Sequence, residues 1–274
     1  MSFHTNALAY PVSDVFSLTQ TFECGQCFRW EPLGKEHYRG VAFGKCLELA
    51  YQDSILYLGC KMDEFEQIWK HYLDLDCDYA AIRTAVSIDA QTEACVRYGA
   101  GIRILRQDPW EALCSFILSQ CNNIPRIRSI ISRLCENFGE QLQPGAYSFP
   151  AAEKLAGLDI EDLACLRCGY RAPYLLSAAR AVAGGTLDFS SLATLDLPNA
   201  RAALTALPGI GNKVADCMLL YGLHRLDAFP VDTWMKKAVA RLYGAGFDPV
   251  RAFGPYAGVA QQYIFYHSRE TKRK

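Results

Sequence analysis

Between about His37 and Cys60 the chain reads as short strands. HYRGVAF, KCLELAY and SILYLG are rich in β-branched and aromatic residues and are divided by Gly44-Lys45 and Gln52-Asp53. The period then changes. In MDEFEQIWKHYLDL the apolar positions Phe65, Ile68, Trp69, Tyr72 and Leu73 fall on one side of a helix. Later segments carry helix start signals. Asp108-Pro109 places a cap and a first-turn proline before WEALCSFILSQ, and Asn122 or Asn123 with Pro125 opens RIRSIISRLCENF, which stops at Gly139. Ile127, Ile130, Ile131 and Leu134 give that helix its apolar stripe. QLQPGAYSFP reads as a connecting loop. Further helices open at Ala172-Pro173, Pro198 and Gly254-Pro255, the last running to about His267. The fold class expected is α+β: an antiparallel sheet subdomain over residues 1–90 and a helical region over 91–274.

Composition adds two points. The chain of 274 residues is 51% hydrophobic and 21% charged, with a net charge of −1, values of a globular protein without a membrane span. That charge is unevenly spread. Residues 1–90 hold 7 Lys+Arg against 13 Asp+Glu, whereas 91–274 hold 21 against 16, so polyanion contacts are expected in the later part. Twelve cysteines, and no basic segment followed by an apolar run in MSFHTNALAY, point to free thiols in a reducing compartment rather than to secretion. Cys24–Cys27 and Cys165–Cys168 have CxxC spacing, but joining them in a zinc site requires closure across a long intervening chain, and no metal site is expected.

The densest chemistry lies in ALPGIGNKVADCMLLYGL, Ala206 to Leu223. Gly209 and Gly211 allow a tight hairpin whose backbone approaches another chain closely, and the helix beginning after them presents unpaired N–H groups to an anion. Lys213 stands in that first turn. The positive end of the helix dipole and apolar neighbours such as Val214 and Cys217 oppose its charge and favour a nucleophilic amine. An ammonium that meets solvent or a phosphate is the alternative. Asp232 follows in AFPVDTW, at a loop-to-helix junction where an aspartate caps the helix through Lys236. Held there, its carboxylate suits stabilisation of a developing cation.

LPGIGNKVADC followed by FPVDTW resembles the helix-hairpin-helix motif and Gly/Pro–Asp loop of the DNA glycosylase superfamily, with the lysine of its bifunctional glycosylase/lyase members. GQCFRW, LRQDPWEALCSFILSQCNNIPRI, GYRAPY and AGVAQQYIF are collinear and similar to the 8-oxoguanine branch over nearly the whole chain. The resemblance implies a TBP-like N-terminal sheet beside two helical subdomains, with the helix-hairpin-helix at about 198–223 and the aspartate loop at 228–234. It implies a base-excision repair enzyme that flips 8-oxoguanine, opposite cytosine, out of duplex DNA. Lys213 attacks the sugar C1′ and forms a Schiff base, Asp232 assists it, and the strand breaks by β-elimination. Gly25, Cys217, Gln261 and Phe265 read the base. Gln261 and Phe265 are i, i+4 on one helical face, an amide beside a stacking ring.

The resemblance further implies that Asn122, Arg126, Tyr170 and Arg171 face the vacated space and the estranged base, and that Gly209, Gly211 and Val214 contact the backbone. Two positions depart from the family pattern. Cys121 replaces the first residue of an Asn triplet, and Trp234 stands where histidine is common. No cysteine follows Cys217, so the iron–sulfur cluster of the endonuclease III type is not expected. No cofactor is required, and the hairpin leaves room for a monovalent cation. The expected partner is double-stranded DNA containing oxidised guanine, met by a monomer with no membrane contact, in a bacterial cytoplasm or a nucleus. The basic tail Thr271–Lys274 suits either a nuclear signal or a DNA-touching end. Competing readings are a lysine-dependent glycosylase for a related lesion such as formamidopyrimidine, a non-catalytic helix-hairpin-helix DNA-binding protein, and a redox or zinc protein built on the CxxC pairs.

Overall fold

The computed structural model describes residues 7–244 and 246–271. The tail residues 272–274, part of the basic terminus, lie outside them, as do residues 1–6. Strand β1 (Leu8–Pro11) and helix α1 (Leu18–Glu23) precede a meander of β2 (Trp30–Gly34), β3 (His37–Ala42), β4 (Lys45–Gln52) and β5 (Ile55–Leu58). The five strands pair antiparallel in the order β1-β5-β4-β3-β2. The β3–β4 and β4–β5 turns fall at Phe43-Gly44 and Asp53-Ser54, all with positive φ, which twists those two hairpins to match their strands.

β3, β4 and β5 lie where the alternation places strands; β1 and β2 carry no such signal. Both are edge strands. Pro11 ends one, and β2 contains Pro32, with a register shift toward Gly34, features that sheets accept only at an edge. α2 (Met62–Glu64) and α3 (Lys70–Tyr72) are joined into one helix by a π turn over Phe65–Trp69. Phe65, Trp69, Tyr72 and Leu73 are buried with Trp30, Tyr38 and Leu49 in the core of the sheet region.

The remaining helices are α4 (Tyr79–Val86), α5 (Ala90–Tyr98), α6 (Pro109–Ser119), α7 (Ile124–Phe138), α8 (Ala152–Ala156), α9 (Ala172–Ala183), α10 (Phe189–Thr194), α11 (Leu197–Thr205), α12 (Asn212–Tyr221), α13 (Thr233–Tyr243), α14 (Pro249–Phe253) and α15 (Ala257–Thr271). Their ends follow local chemistry. Asp108 caps α6 by accepting from Glu111 N at 2.8 Å, and Asn123, not Asn122, caps α7 by accepting from Arg126 N at 3.0 Å. QLQPGAYSFP is not a plain loop. It folds into a small antiparallel hairpin, β6 (Gln141–Gln143) and β7 (Ala146–Tyr147), turned by Gly145. Gly254-Pro255 opens a 3₁₀ turn, and α15 continues past His267 to Thr271, with Ser268 buried.

Buried amides join the sheet region to the helices. Gln26 is 1% exposed. Its Nε2 donates to the carbonyls of Thr21 and Arg103, both at 2.8 Å, and its Oε1 accepts from Leu105 N at 2.9 Å. Gln107 donates to the Gln26 carbonyl at 2.7 Å, and Gln262 of α15 donates to the Cys24 carbonyl at 3.2 Å. The loop Cys24–Cys27 is thereby held from three sides. Asp74 forms a second tie, accepting from Arg106 Nε at 2.8 Å and Tyr79 OH at 2.9 Å, with His224 Nε2 at 3.1 Å. Burial pushes the Asp74 carboxyl up, but His224 and Arg106 outweigh it and hold the group below its ordinary value.

Replacing Gln26 by alanine strands one N–H and two carbonyls in the interior and is expected to cost about 2–4 kcal/mol, read by urea unfolding. A carboxylate with a lowered folded pKa stabilises fully above its unfolded value of about 3.9 and loses that contribution as pH falls through the folded one. Unfolding free energy is therefore expected to drop on acidification below about pH 4. Asp74→Asn flattens that part of the profile, measured by urea titrations across pH.

Candidate active site

α11 and α12 enclose LPGIG as a tight corner. Gly209 adopts φ +78°, and a Cβ there would overlap the ring of Tyr174 from α9, so the hairpin sits directly on that aromatic face. Gly211 is exposed and is the N-cap of α12 with no side-chain cap. The first-turn N–H groups of Asn212, Lys213 and Val214 thus have no intrahelical acceptor, whereas α6, α7, α11 and α13 are capped by Asp or Asn. Val214 is 2% exposed, so it offers a ligand its backbone and not its side chain.

Lys213 does not reach out to solvent. It is half-buried and donates from Nζ to Ser119 Oγ at 3.0 Å, and Nζ lies 5.2 Å from the centre of the Phe116 ring. Both partners come from α6, which packs along α12. Cys217, one turn after Lys213, is buried. Burial pushes its thiol up to about 11, while the adjacent lysine pulls against that shift, so the sulfur stays protonated near neutral pH. The Asp232 charge acts on the same thiol, which places lysine, thiol and carboxylate in one neighbourhood. Asp232 caps α13, but not as the spacing suggested. Its Oδ1 accepts from Met235 N at 2.7 Å, and the Lys236 N–H goes to the Asp232 backbone carbonyl at 2.9 Å.

A second group of residues adjoins the first through Tyr221. Its hydroxyl donates to Gln262 Oε1 at 2.5 Å, and Cys217, Cys24 and Asp232 all bear on it electrostatically. Beyond it lies the loop with Gly25 at φ +97°, a conformation that strains any residue with a Cβ. The place that Cβ would take is 3.8 Å from Phe265 Cε1, 3.8 Å from Ile124 Cδ1 and 3.6 Å from an Arg269 guanidinium nitrogen. Gly25 and Phe265 therefore meet. Gln261, one turn before Phe265, is 6% exposed, and its Oε1 is buried without a hydrogen-bond partner among the described residues. Buried polar atoms are seldom left so, and a donor entering beside Phe265 would satisfy this one.

The third group surrounds the end of α6. Arg126 is exposed, and Tyr170 is 52% exposed with its hydroxyl 3.3 Å from the Gln120 carbonyl. A hydrogen bond with the Cys121 thiol pushes the Tyr170 phenol up. Asn122 turns back, donating to the Leu118 carbonyl at 3.2 Å. Arg171 is 4% exposed, and its guanidinium donates to the carbonyls of Gln120, Cys121 and Cys168. It holds the loop instead of facing outward. Cys121 occupies that loop with φ +49°.

Ser119, Phe116, Tyr221, Gln26 and Gln262 were not singled out from sequence, since nothing local distinguishes a serine at a helix end from any other. A cavity of about 220 Å³ lies elsewhere, between the sheet and α7, lined by Arg39, Cys46 and Arg128 among others, and touches none of these three groups. Among the described residues no three His, Cys, Asp or Glu side chains are grouped to hold a metal ion. Cys24 and Cys27, one of the CxxC pairs, instead meet backbone carbonyls of α1.

Residues 8–113 match the family model described as the 8-oxoguanine DNA glycosylase N-terminal domain, and residues 114–250 match that of the HhH-GPD superfamily base excision DNA repair proteins. The N-glycosylase/DNA lyase OGG1 of Arabidopsis thaliana is 31% identical over 91% of this chain and 76% of its own length. The Clostridium acetobutylicum 8-oxoguanine glycosylase/lyase, solved with double-stranded DNA containing cytosine opposite 8-oxoguanine, is 35% identical. It superposes with a TM-score of 0.92 over 97% of this chain and 96% of that one. MBOgg1, solved with a low-affinity DNA ligand, gives 37% identity and a TM-score of 0.92 over the same shares.

Gly209→Ala forces a methyl group into Tyr174 at a positive φ and is expected to weaken binding to any duplex DNA at least about tenfold, with stability falling by about 1–3 kcal/mol. Fluorescence anisotropy and thermal unfolding separate the two effects.

Proposed function

The chain belongs to the HhH-GPD superfamily of base-excision DNA repair proteins, as an N-glycosylase/DNA lyase of the 8-oxoguanine branch, and from that premise we propose how its residues divide the work. An 8-oxoguanine nucleotide is flipped from the duplex, because C1′ of a stacked nucleotide cannot be reached. The uncapped N-terminus of α12 receives a backbone phosphate beside it, a site that hydrogen bonds and the helix dipole both favour. Lys213, oriented by Ser119 and the Phe116 ring, attacks C1′ with its nitrogen lone pair. The C1′–N9 bond breaks and its electrons leave with the base, which takes up the proton that the attacking nitrogen gives up. Opening of the sugar then yields the Schiff base. Loss of a C2′ proton and cleavage of the C3′–O bond break the strand 3′ to the lesion, and water releases the lysine. Asp232 stabilises the cationic sugar. No cofactor enters these steps.

The observation that carries the choice of base is the unpartnered Oε1 of Gln261 beside Phe265 and Gly25. An amide oxygen accepts from the amino edge of a guanine, Phe265 stacks on its face, and the Gly25 carbonyl accepts from the N7–H that 8-oxoguanine carries. Unmodified guanine presents an acceptor there, so two acceptors would oppose each other. Opposite the lesion, Arg126 and Tyr170 reach toward the estranged cytosine, while Arg171 fixes the loop that carries Cys121 and Asn122.

Borohydride trapping on a duplex with one 8-oxoguanine opposite cytosine tests this reading. Wild-type protein is expected to give a covalent adduct and strand cleavage. Lys213→Gln gives no adduct, with base release reduced by at least about 10³-fold. Wild-type protein that binds the lesion and yields neither adduct nor free base refutes the catalytic assignment and leaves a DNA-binding protein.

A further inference from the structure

Behind Asp232, the face of α13 that carries Trp234, Lys237, Ala238 and Arg241 meets Ser268 of α15 around a pocket of about 140 Å³. Those positions recur at i, i+3, i+4 and i+7, so one helical face supplies both cations. Among the described residues neither Lys237 nor Arg241 has a carboxylate within ion-pair distance. Asp89 acts on Cys95 alongside Arg241, but it is committed to capping α5 through Gln91 N and Thr92 N. His267, beside Arg241, is pushed down by burial and then by that guanidinium, which keeps the imidazole neutral. Ser268 is 1% exposed, and its Oγ has no hydrogen-bond partner among the described residues. A helical serine ordinarily bonds back to the preceding turn. Here, among the described residues, a buried hydroxyl without a partner lines a space several times the roughly 30 Å³ share of a water, under two cations that have no carboxylate within ion-pair distance.

We propose that this pocket is a subsite for one phosphodiester of the DNA strand, beyond the phosphate held by the hairpin. The inference rests on the DNA-binding half of the function proposed above. Two cations and a hydroxyl donor form an anion site, and the helix that bears them starts at the residue assigned to the flipped sugar. At 1.5 Å of rise per residue Lys237 stands about 7 Å along the axis from Asp232. With about 3.4 Å of duplex rise per phosphate on one strand, that reaches a neighbour of the flipped nucleotide. Lys237 and Arg241 supply charge, and Ser268 donates to a non-bridging oxygen. Trp234, in place of the histidine common in the family, walls the site while the anchoring charge lies one turn and two turns further along the helix.

Anisotropy on undamaged and on 8-oxoguanine duplexes, between about 50 and 200 mM salt and in a Lys213→Gln background that prevents turnover, tests the subsite. Lys237→Ala and Arg241→Ala are each expected to lower the slope of log K against log salt by about 0.9, the release of one counterion. Lys236→Ala, the same charge change on a lysine outside the pocket, is expected to leave the slope. Ser268→Ala is expected to weaken binding about three- to tenfold at fixed salt with the slope retained. Thermal unfolding of each variant confirms that it folds. Equal slope losses for Lys236→Ala and Lys237→Ala, or none for either pocket cation, overturn the proposal. So does stabilisation by inorganic phosphate that Lys237→Ala abolishes while leaving the DNA slope unchanged, which identifies a free-anion site. Loss of lesion preference with the slope pattern intact removes the 8-oxoguanine reading and still supports the subsite.

Discussion

One buried side chain, Gln26, sets the geometry on which the rest depends. Its amide spends both donors and its acceptor on backbone groups of Thr21, Arg103 and Leu105, while its own carbonyl is taken by Gln107. In a low-dielectric interior such a network tolerates few rearrangements, because any shift leaves a polar group unpaired. Gly25 precedes Gln26 directly, so the loop that approaches Phe265 has its position dictated by the junction of sheet and helices. Specificity for a base edge requires that rigidity, since hydrogen-bond discrimination is lost when the acceptor can move.

The surroundings of Lys213 follow from helix packing. α6 lies along α12 and delivers Ser119 and Phe116 to Lys213. A hydroxyl acceptor and an aromatic face hold the Lys213 nitrogen, and among the described residues no carboxylate lies within ion-pair distance of it. The carboxylate is supplied from a separate element, where a helix cap fixes Asp232. Tyr174 extends the arrangement: it supports the hairpin at Gly209 and contacts Tyr170, with ring centres 6.1 Å apart. The hairpin at Gly209 and the exposed Tyr170 ring therefore rest on one aromatic pair.

Charge is distributed in keeping with this division. The acidic surplus of the first 90 residues lies in the part of the chain that holds the sheet, while Lys237 and Arg241 of α13 and Arg126 beyond the end of α6 are exposed cations with no ion-pair partner among the described residues. Arg171 illustrates how a charge can be withdrawn from that surface. Its guanidinium binds two carbonyls in the loop containing Cys121 and that of Cys168, so the exposed cation of that group is Arg126.

The chain by itself determined the features that consecutive residues encode. Caps at Asp108 and Asp232, the hairpin at LPGIG, the central strands and the i, i+4 pairing of Gln261 with Phe265 all depend on contacts within a few positions, and the pattern of residues states them. It also carried the family. Tertiary structure alone decided the edge strands β1 and β2, whose Pro and Gly content obscures them until a neighbour supplies the ladder. It likewise decided the inward turn of Arg171, the junction at Gln26, the meeting of Ser119 with Lys213 across 94 residues, and the burial of Ser268. The reason is common to all of them. Desolvation and long-range hydrogen bonding are properties of what packs against a residue, and packing partners distant in the chain leave no periodic trace in it.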